Sequence, residues 1–241
     1  MRIVVWNCGM ALHAKYERLM ALQPDIAIVP ECAEPDILRR LAPDFRFADC
    51  EWRGALSTKG LGVFTFGNLT TRLHQSWDPR FHVFLPIEVR GYAMLNLLAV
   101  WAFSERTQKV VPNSAATALA VEHYTHFLEG APAIVAGDFN ASVTWDSNPR
   151  YAKFSEVDTA LENLGLTSAY HAFREQTMGH ETDPTLWWRH DPEKAFHIDY
   201  IHVSKNWIPA IKSVCVGSAS DWIKTSDHAP VTVTYDMPTR A

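Results

Sequence analysis

Five short polar motifs stand where apolar runs stop: Trp6-Asn7, the lone Glu31, Gly137-Asp138-Phe139-Asn140, His197-Ile198-Asp199-Tyr200 and Ser226-Asp227-His228. Carboxylates, carboxamides and one imidazole at the ends of buried segments are the parts needed to hold a hard divalent cation and break a phosphoester bond. Asp138 and Asn140 lie two positions apart beside the apolar run Ala133–Ala136. In extended geometry they share a face, with Phe139 turned back to the core. Such an oxygen-rich pair suits Mg²⁺, although the tetrapeptide alone equally fits an Asx turn ending a strand. Glu31 follows IAIVP, where an unpaired charge is costly, so it is a single anchor for a cation. Its plain alternative is a solvated glutamate opening a helix. Asn7 ends the first apolar run and can orient a metal ligand or hold a phosphate oxygen, or simply make a turn.

A neutral imidazole at His228 can take a proton from an attacking water. A carboxylate on its other nitrogen would fix the tautomer. Asp227 is the sequence neighbour, but adjacent side chains on a strand point oppositely. Asp199 is therefore the better partner for His228, and Asp227 is left to face a cation or its waters. The remaining histidines form no HExxH or His/Cys zinc spacing, and the chain has no Walker loop, GxGxxG or GxSxG elbow.

These motifs need elements to carry them. RIVVW (2–6) and DIAIV (25–29) read as buried strands, with Glu31 just past the second. Residues 10–22 read as a helix broken by Pro24, and 35–41 as another. Further strands are expected near 45–50, 63–66, 82–90, 92–101, 133–136, 186–188, 199–203, 213–216 and 231–235. The stretch 115–128 is the best helix, capped by Asn113 or Ser114, and 157–164 is another, ended by Gly165. Early helices, many strands and few βαβ units predict an α+β fold of two packed sheets with helices outside.

The 241 residues contain no linker, repeat or low-complexity stretch, so one domain over 1–241 is expected. The chain is 47% hydrophobic and 20% charged, the composition of a soluble globular protein. With 22 basic and 27 acidic side chains the net charge is −5, and no basic run advertises duplex scanning. No apolar stretch reaches the roughly 20 residues of a membrane span. No charged n-region followed by an apolar h-region is apparent, so no signal peptide is expected, and Cys8, Cys32, Cys50 and Cys215 show no CxxC spacing. A reduced, cytoplasmic protein with packed thiols is the expectation.

The ordered motifs, from Arg2 to about Tyr235, resemble the endonuclease/exonuclease/phosphatase superfamily, which includes exonuclease III-type and abasic-site nucleases, deoxyribonucleases, sphingomyelinases and inositol polyphosphate 5-phosphatases. The resemblance implies a four-layer αββα sandwich with two mixed sheets, and a hydrolase dependent on Mg²⁺ or Mn²⁺. It implies that Glu31 is the principal metal ligand, with Asn7 beside it and Asp227 as a supporting carboxylate. Asp138 would position or activate the water, Asn140 would hold the scissile phosphate, and Asp199 would partner His228. Two departures stand out. Trp101 occupies the strand end where the family usually places His or Tyr, so phosphate or leaving-group stabilisation falls to the metal or to Lys59 in STKGLG. Gly9 stands where family nucleases often carry a carboxylate. The tract PTLWWRHDPEKAFHIDY resembles the segment of exonuclease III-like enzymes that contacts an unstacked or abasic nucleotide. Trp187, Trp188 and Phe196 would then stack on a base, the alternative being a packed aromatic corner. The implied partner is a phosphoester substrate, nucleic acid among the candidates. The phosphatase branch, acting on a small phosphorylated metabolite or lipid headgroup, lacks its GDxNxR-type and WCDR-like motifs here. A catalytically silent binding module is the reading from a different class.

Overall fold

The computed structural model describes residues 1–103, 113–148 and 152–236. The apolar runs form two six-stranded sheets. The first contains β1 (Arg2–Val5), β2 (Ile26–Cys32), β3 (Asp49–Leu56), β4 (Lys59–Thr65), β13 (Ile211–Val216) and β14 (Val231–Tyr235), in the order β13-β14-β1-β2-β4-β3. The second contains β5 (Thr70–Leu73), β6 (Phe84–Arg90), β7 (Leu95–Trp101), β8 (Ala133–Asp138), β9 (Leu166–Ser168) and β12 (Asp199–Ser204), in the order β5-β6-β7-β8-β12-β9. A two-stranded ribbon, β10 (Leu186–Trp187) with β11 (Ala195–Phe196), lies apart from both sheets. Each sheet is mixed: β1–β2 and β7–β8 are parallel and the other pairs antiparallel.

Side-chain alternation along the strands builds the layers. On β1, Ile3 and Val5 enter the core shared with the second sheet, while Val4 and then Trp6 enter a separate outer core. That outer core is closed by α1 (Tyr16–Met20), α2 (Pro35–Leu41) and α7 (Ala219–Trp222) through Leu19, Leu38 and Trp222. On the other side α3 (Asn113–His123), α4 (Thr125–Glu129), α5 (Phe154–Asn163) and α6 (Ala169–Arg174) contribute Val121, Phe127, Val157 and Tyr170 to the larger core. Helices outside two mixed sheets is the expected α+β sandwich.

Local expectations were corrected in three places. The helix expected over 10–22 shrinks to a 3₁₀ turn at Leu12–Ala14 and the short α1, because Gly9, Met10 and Ala11 all take positive φ (56°, 66° and 51°). The helix expected over 115–128 breaks at Tyr124, which leaves helical geometry between α3 and α4. β3 begins at Asp49 rather than Phe45, since Phe45 and Phe47 turn aside into a ring cluster with Phe64. The thiols also divide. Cys8 and Cys32 are buried, Cys50 is half-buried, and Cys215 is exposed rather than packed. No helix among the described residues is long and apolar enough to cross a membrane.

Candidate active site

Three neighbouring strands of the second sheet set the floor of the site. Trp101 on β7 is level with Asp138 on β8, which is level with Asp199 on β12. Residues in register across a sheet share a face, so the row brings both carboxylates to one side. Gly137 makes the close approach of β7 and β8 feasible: at φ 148° its missing Cβ would stand 1.8 Å from the Val100 carbonyl oxygen. Phe139 is fully buried behind the row. Asn140 departs from the expected extended pair, since it turns at φ 46° and folds back on Asp138. Its backbone N–H donates to Asp138 Oδ1 (2.8 Å) and its Nδ2 to Asp138 Oδ2 (2.8 Å).

The first sheet supplies the wall. Asn7 leaves β1 with Oδ1 accepting from Gly9 N–H (3.0 Å), which aims Nδ2 at two carboxylates. Nδ2 donates to Asp138 Oδ2 (3.0 Å) and to Glu31 Oε1 (3.4 Å). Glu31 sits in a bulge between Pro30 and Cys32, at φ 62°. An extra residue there re-aims its side chain out of the ladder. Glu31 and Asn140 are both non-glycine residues in the left-handed region, strain of a kind that clusters at functional sites. Lys59 Nζ is 3.1 Å from Glu31 Oε2 and lies 5.4 Å and 5.2 Å from the ring centroids of Trp101 and Phe103. Trp101 is 4% exposed and stacks on Phe103, and its indole N–H has no partner among the described residues. Lys59 and Trp101, both expected at the phosphate, thus meet each other beside Glu31.

His228 enters from the turn before β14. Ser226 is its anchor, donating its hydroxyl to the Asn7 carbonyl (2.8 Å) and accepting the His228 N–H (3.1 Å). His228 Nδ1 and Asp199 Oδ2 are 2.9 Å apart, leaving Nε2 as the ring's other proton site. Asp227 is half-buried and points toward Gly9, whose absent Cβ would lie 3.8 Å from its Oδ1.

The sequence assigned the cation to Glu31, Asn7 and Asp227. Among the described residues Asp138, Asp199 and His228 bring ligand atoms within 4.8 Å of one another. Glu31 stands one step away, across the Asn7 amide. Asp199 Oδ1 is buried without a hydrogen-bond partner among the described residues. A buried carboxylate oxygen is costly unless paired or coordinated, so the pocket calls for positive charge, and the neighbouring carboxylates of Asp138 and Glu31 fit a hard divalent cation.

The sequence pattern of the Endonuclease/Exonuclease/phosphatase family matches residues 5–228, nearly the whole chain. The chain belongs to the Endonuclease/Exonuclease/phosphatase family. No curated protein sequence matches it. Among solved structures it is similar to an AP endonuclease from Archaeoglobus fulgidus (14% identity, TM-score 0.74, covering 98% of this chain and 100% of that one). It is also similar to the 3′ phosphatase NExo from Neisseria bound to product DNA hairpin (18%, TM-score 0.71, 98% and 100%). The Xenopus laevis APE2 catalytic domain aligns as well (14%, TM-score 0.65, 98% and 91%). At these identities the likeness establishes the fold.

In this member of the Endonuclease/Exonuclease/phosphatase family a cavity of about 700 Å³ opens beside Asn140. Its apolar walls are Phe103, Trp145, Leu186, Trp188, Phe196 and Ile198, and Lys194 stands at its edge. The structure separates the three aromatic residues expected to stack. Trp188 is 52% exposed and faces the cavity with Phe196. Trp187 is 2% exposed in the outer core, so its expected stacking role is corrected to core packing: neighbours on the short β10 point opposite ways. Sequence reasoning missed Phe103 and Trp145 on the cavity wall. It also missed Asn113, considered as a helix cap, whose Nδ2 donates to the Asn140 carbonyl (3.2 Å). No spacing motif marks such residues; a strand exit (Phe103), a 3₁₀ turn (Trp145) and the start of α3 (Asn113) are brought together only by the fold.

Charge is crowded here. Burial, then the neighbouring Asp199 charge, pushes Asp138 up to about 7, against the His228 charge and the Asn7 and Asn140 donors. Burial favours a neutral His228, but Asp199 and Asp138 outweigh it, helped by the Asp199 hydrogen bond and Asp227, and raise its pKa to about 10. Both groups bind protons more tightly folded than unfolded. Stability from Asp138 is present below 3.8 and lost as pH rises to about 7; that from His228 is full below 6.5 and lost through about 10. Glu181 has the opposite sign. Burial opposes its charge, but the His171 bond and backbone donors hold it at about 2, so its contribution is lost as pH falls from 4.5 through that value. Thermal melts in EDTA should therefore show the highest Tm near about pH 5 and a steady fall toward pH 9. A Tm that climbs over that interval would contradict the charge assignment.

Proposed function

We propose that this chain is a divalent-metal-dependent phosphodiesterase that cleaves nucleic acid by in-line attack of water. The observation that carries the reading is the buried Asp138–Asp199–His228 cluster, joined through Asn7 to Glu31. Family membership supports phosphoester hydrolysis in general. Glu31, Asp138 and Asp227 would hold Mg²⁺ or Mn²⁺, with Asn7 fixing the first two. When bound, the cation supplies positive charge for the phosphate and the leaving oxygen. Asn140 presents its amide to a phosphate oxygen. His228, its Nδ1–H given to Asp199, takes the water proton at Nε2. It serves as a base only when the charge of the surrounding carboxylates is offset, because these hold its proton in the ion-free site. Lys59 neutralises Glu31 and lies beside the aromatic wall that faces the phosphate.

The aromatic cavity beside Asn140 favours a substrate with a base or sugar turned out of the stack. That a similar fold is found with a product DNA hairpin supports the same class. Base–aromatic stacking contributes roughly 1–3 kcal/mol. Trp188→Ala should therefore raise KM for a single-stranded oligonucleotide by about 5–100-fold, leaving hydrolysis of bis(p-nitrophenyl) phosphate unchanged. Equal effects on both substrates would remove Trp188 from the binding surface.

A 3′ phosphatase among the similar structures favours a second reading, monoester hydrolysis at a nucleic-acid end. A panel of plasmid, single-stranded and abasic DNA, RNA, bis(p-nitrophenyl) phosphate and p-nitrophenyl phosphate, with Mg²⁺, Mn²⁺ or EDTA, decides between them. Diester cleavage without monoester cleavage supports our reading. The reverse pattern selects the phosphatase, and cation binding without hydrolysis of any ester selects a silent binding module.

A further inference from the structure

We propose that Thr185 is a positioning residue that holds Asp199 against His228; its catalytic consequence rests on the hydrolytic reading above. Thr185 is fully buried and lies immediately before β10. Its hydroxyl oxygen accepts the backbone N–H groups of both Ile198 and Asp199, each at 3.0 Å. Its own N–H donates to the Phe196 carbonyl (2.8 Å), and its carbonyl accepts the Ala229 N–H (2.8 Å). The next two residues continue the link: Leu186 bridges to His228, and the Trp187 N–H donates to the Asp227 carbonyl (2.7 Å). Residues 185–187 thus splint the strand end that carries Asp199 to the turn that carries His228. The two catalytic candidates come from different sheets, and this segment ties them directly.

The hydroxyl matters because the Asp199 end of β12 lacks a strand on one side. Among the described residues β9 pairs with β12 at His202–Ser204 only, so the Thr185 oxygen takes the place of a strand neighbour there. Removing it strands two buried N–H groups. Among the described residues the carboxylate has little else to orient it, since Oδ1 has no hydrogen-bond partner and Oδ2 meets only His228. Catalytic pairs tolerate displacements of about 0.5 Å. A relaxed Asp199 backbone would lengthen the 2.9 Å contact and free the imidazole to change tautomer.

The test compares Thr185→Val, which keeps the shape and drops the hydroxyl, with Thr185→Ser, which keeps it. In EDTA-treated protein, proton NMR should show a low-field His228 Nδ1–H resonance, assigned by its loss in His228→Ala. We expect it in wild type and Thr185→Ser, and lost or moved upfield in Thr185→Val. This readout needs no turnover, so it decides the inference even if the protein hydrolyses no phosphoester, an outcome that would sink the functional reading alone. With an active enzyme, Thr185→Val should lower kcat by about 10–100-fold with KM within about two-fold, and Thr185→Ser should restore it. An unchanged resonance in folded Thr185→Val, or a serine variant as impaired as valine, overturns the proposal. Thr185→Ala repeats the test where valine fails to fold. If both lose the fold while serine keeps it, the hydroxyl is a fold element and the positioning role is refuted.

Discussion

His228→Ala should lower kcat for phosphodiester cleavage by about 10³–10⁴-fold while KM changes little. The imidazole is 5% exposed and sits 2.9 Å from Asp199, with its other nitrogen left to the nucleophile among the described residues. No neighbouring histidine among the described residues replaces it as a base. His202 is fully buried against Asp158 (3.1 Å), and His197 Nδ1 is bound to the Asp183 carbonyl (2.7 Å). The substitution also leaves the Asp199 carboxylate buried with no partner, which costs stability in the ion-free protein. His228→Gln, which keeps a donor, separates the two effects: it should retain more of the Tm while losing the same rate. Kinetics on bis(p-nitrophenyl) phosphate with circular dichroism of each variant checks this. Turnover within about ten-fold of wild type would remove His228 from the chemistry.

Asp138→Ala should be at least as severe, with kcat reduced by about 10³-fold or more. Asp138 is the hub of the site. One oxygen accepts from the Asn140 backbone and the other from the side chains of Asn7 and Asn140. Removing the carboxylate takes that acceptor from the Asn140 N–H and Nδ2, leaves Asn7 Nδ2 with Glu31 alone, and takes the charge from the centre of the ligand cluster. The same substitution should lower the pKa of His228, because Asp138 is among the charges that hold its proton. Single-turnover measurement with Mn²⁺ at saturating concentration isolates the chemical step. A rate within about ten-fold of wild type there would move Asp138 from the chemistry to ion affinity alone.

How far the sequence foretold this arrangement depends on whether a signal is local. Continuous apolar, β-branched runs in RIVVW and DIAIV were enough to place β1 and β2, and a polar residue after each run was enough to mark Asn7 and Glu31. Asp199 could be preferred over Asp227 as the partner of His228 because adjacent strand residues point oppositely; the structure has the 2.9 Å contact on Asp199. What depends on contacts between distant segments was not legible. The Glu31 bulge, the left-handed turn at Asn140 and the Lys59–Glu31 pair all arise where strands meet. The tryptophan pair shows the same limit: both residues look alike in WW, and only the position of β10 over the outer core buries Trp187 and exposes Trp188. Thr185 gave no signal, because its role comes from two backbone groups it meets only after folding.

The central claim is that side chains far apart in the sequence converge on a single divalent ion. Calorimetric titration of Mn²⁺ into the EDTA-stripped, desalted protein tests it most directly. The account predicts one ion per chain, proton release as Asp138 and His228 give up protons, and affinity lost by about ten-fold or more in both Glu31→Gln and Asp138→Ala. Wild-type affinity in both variants would contradict it.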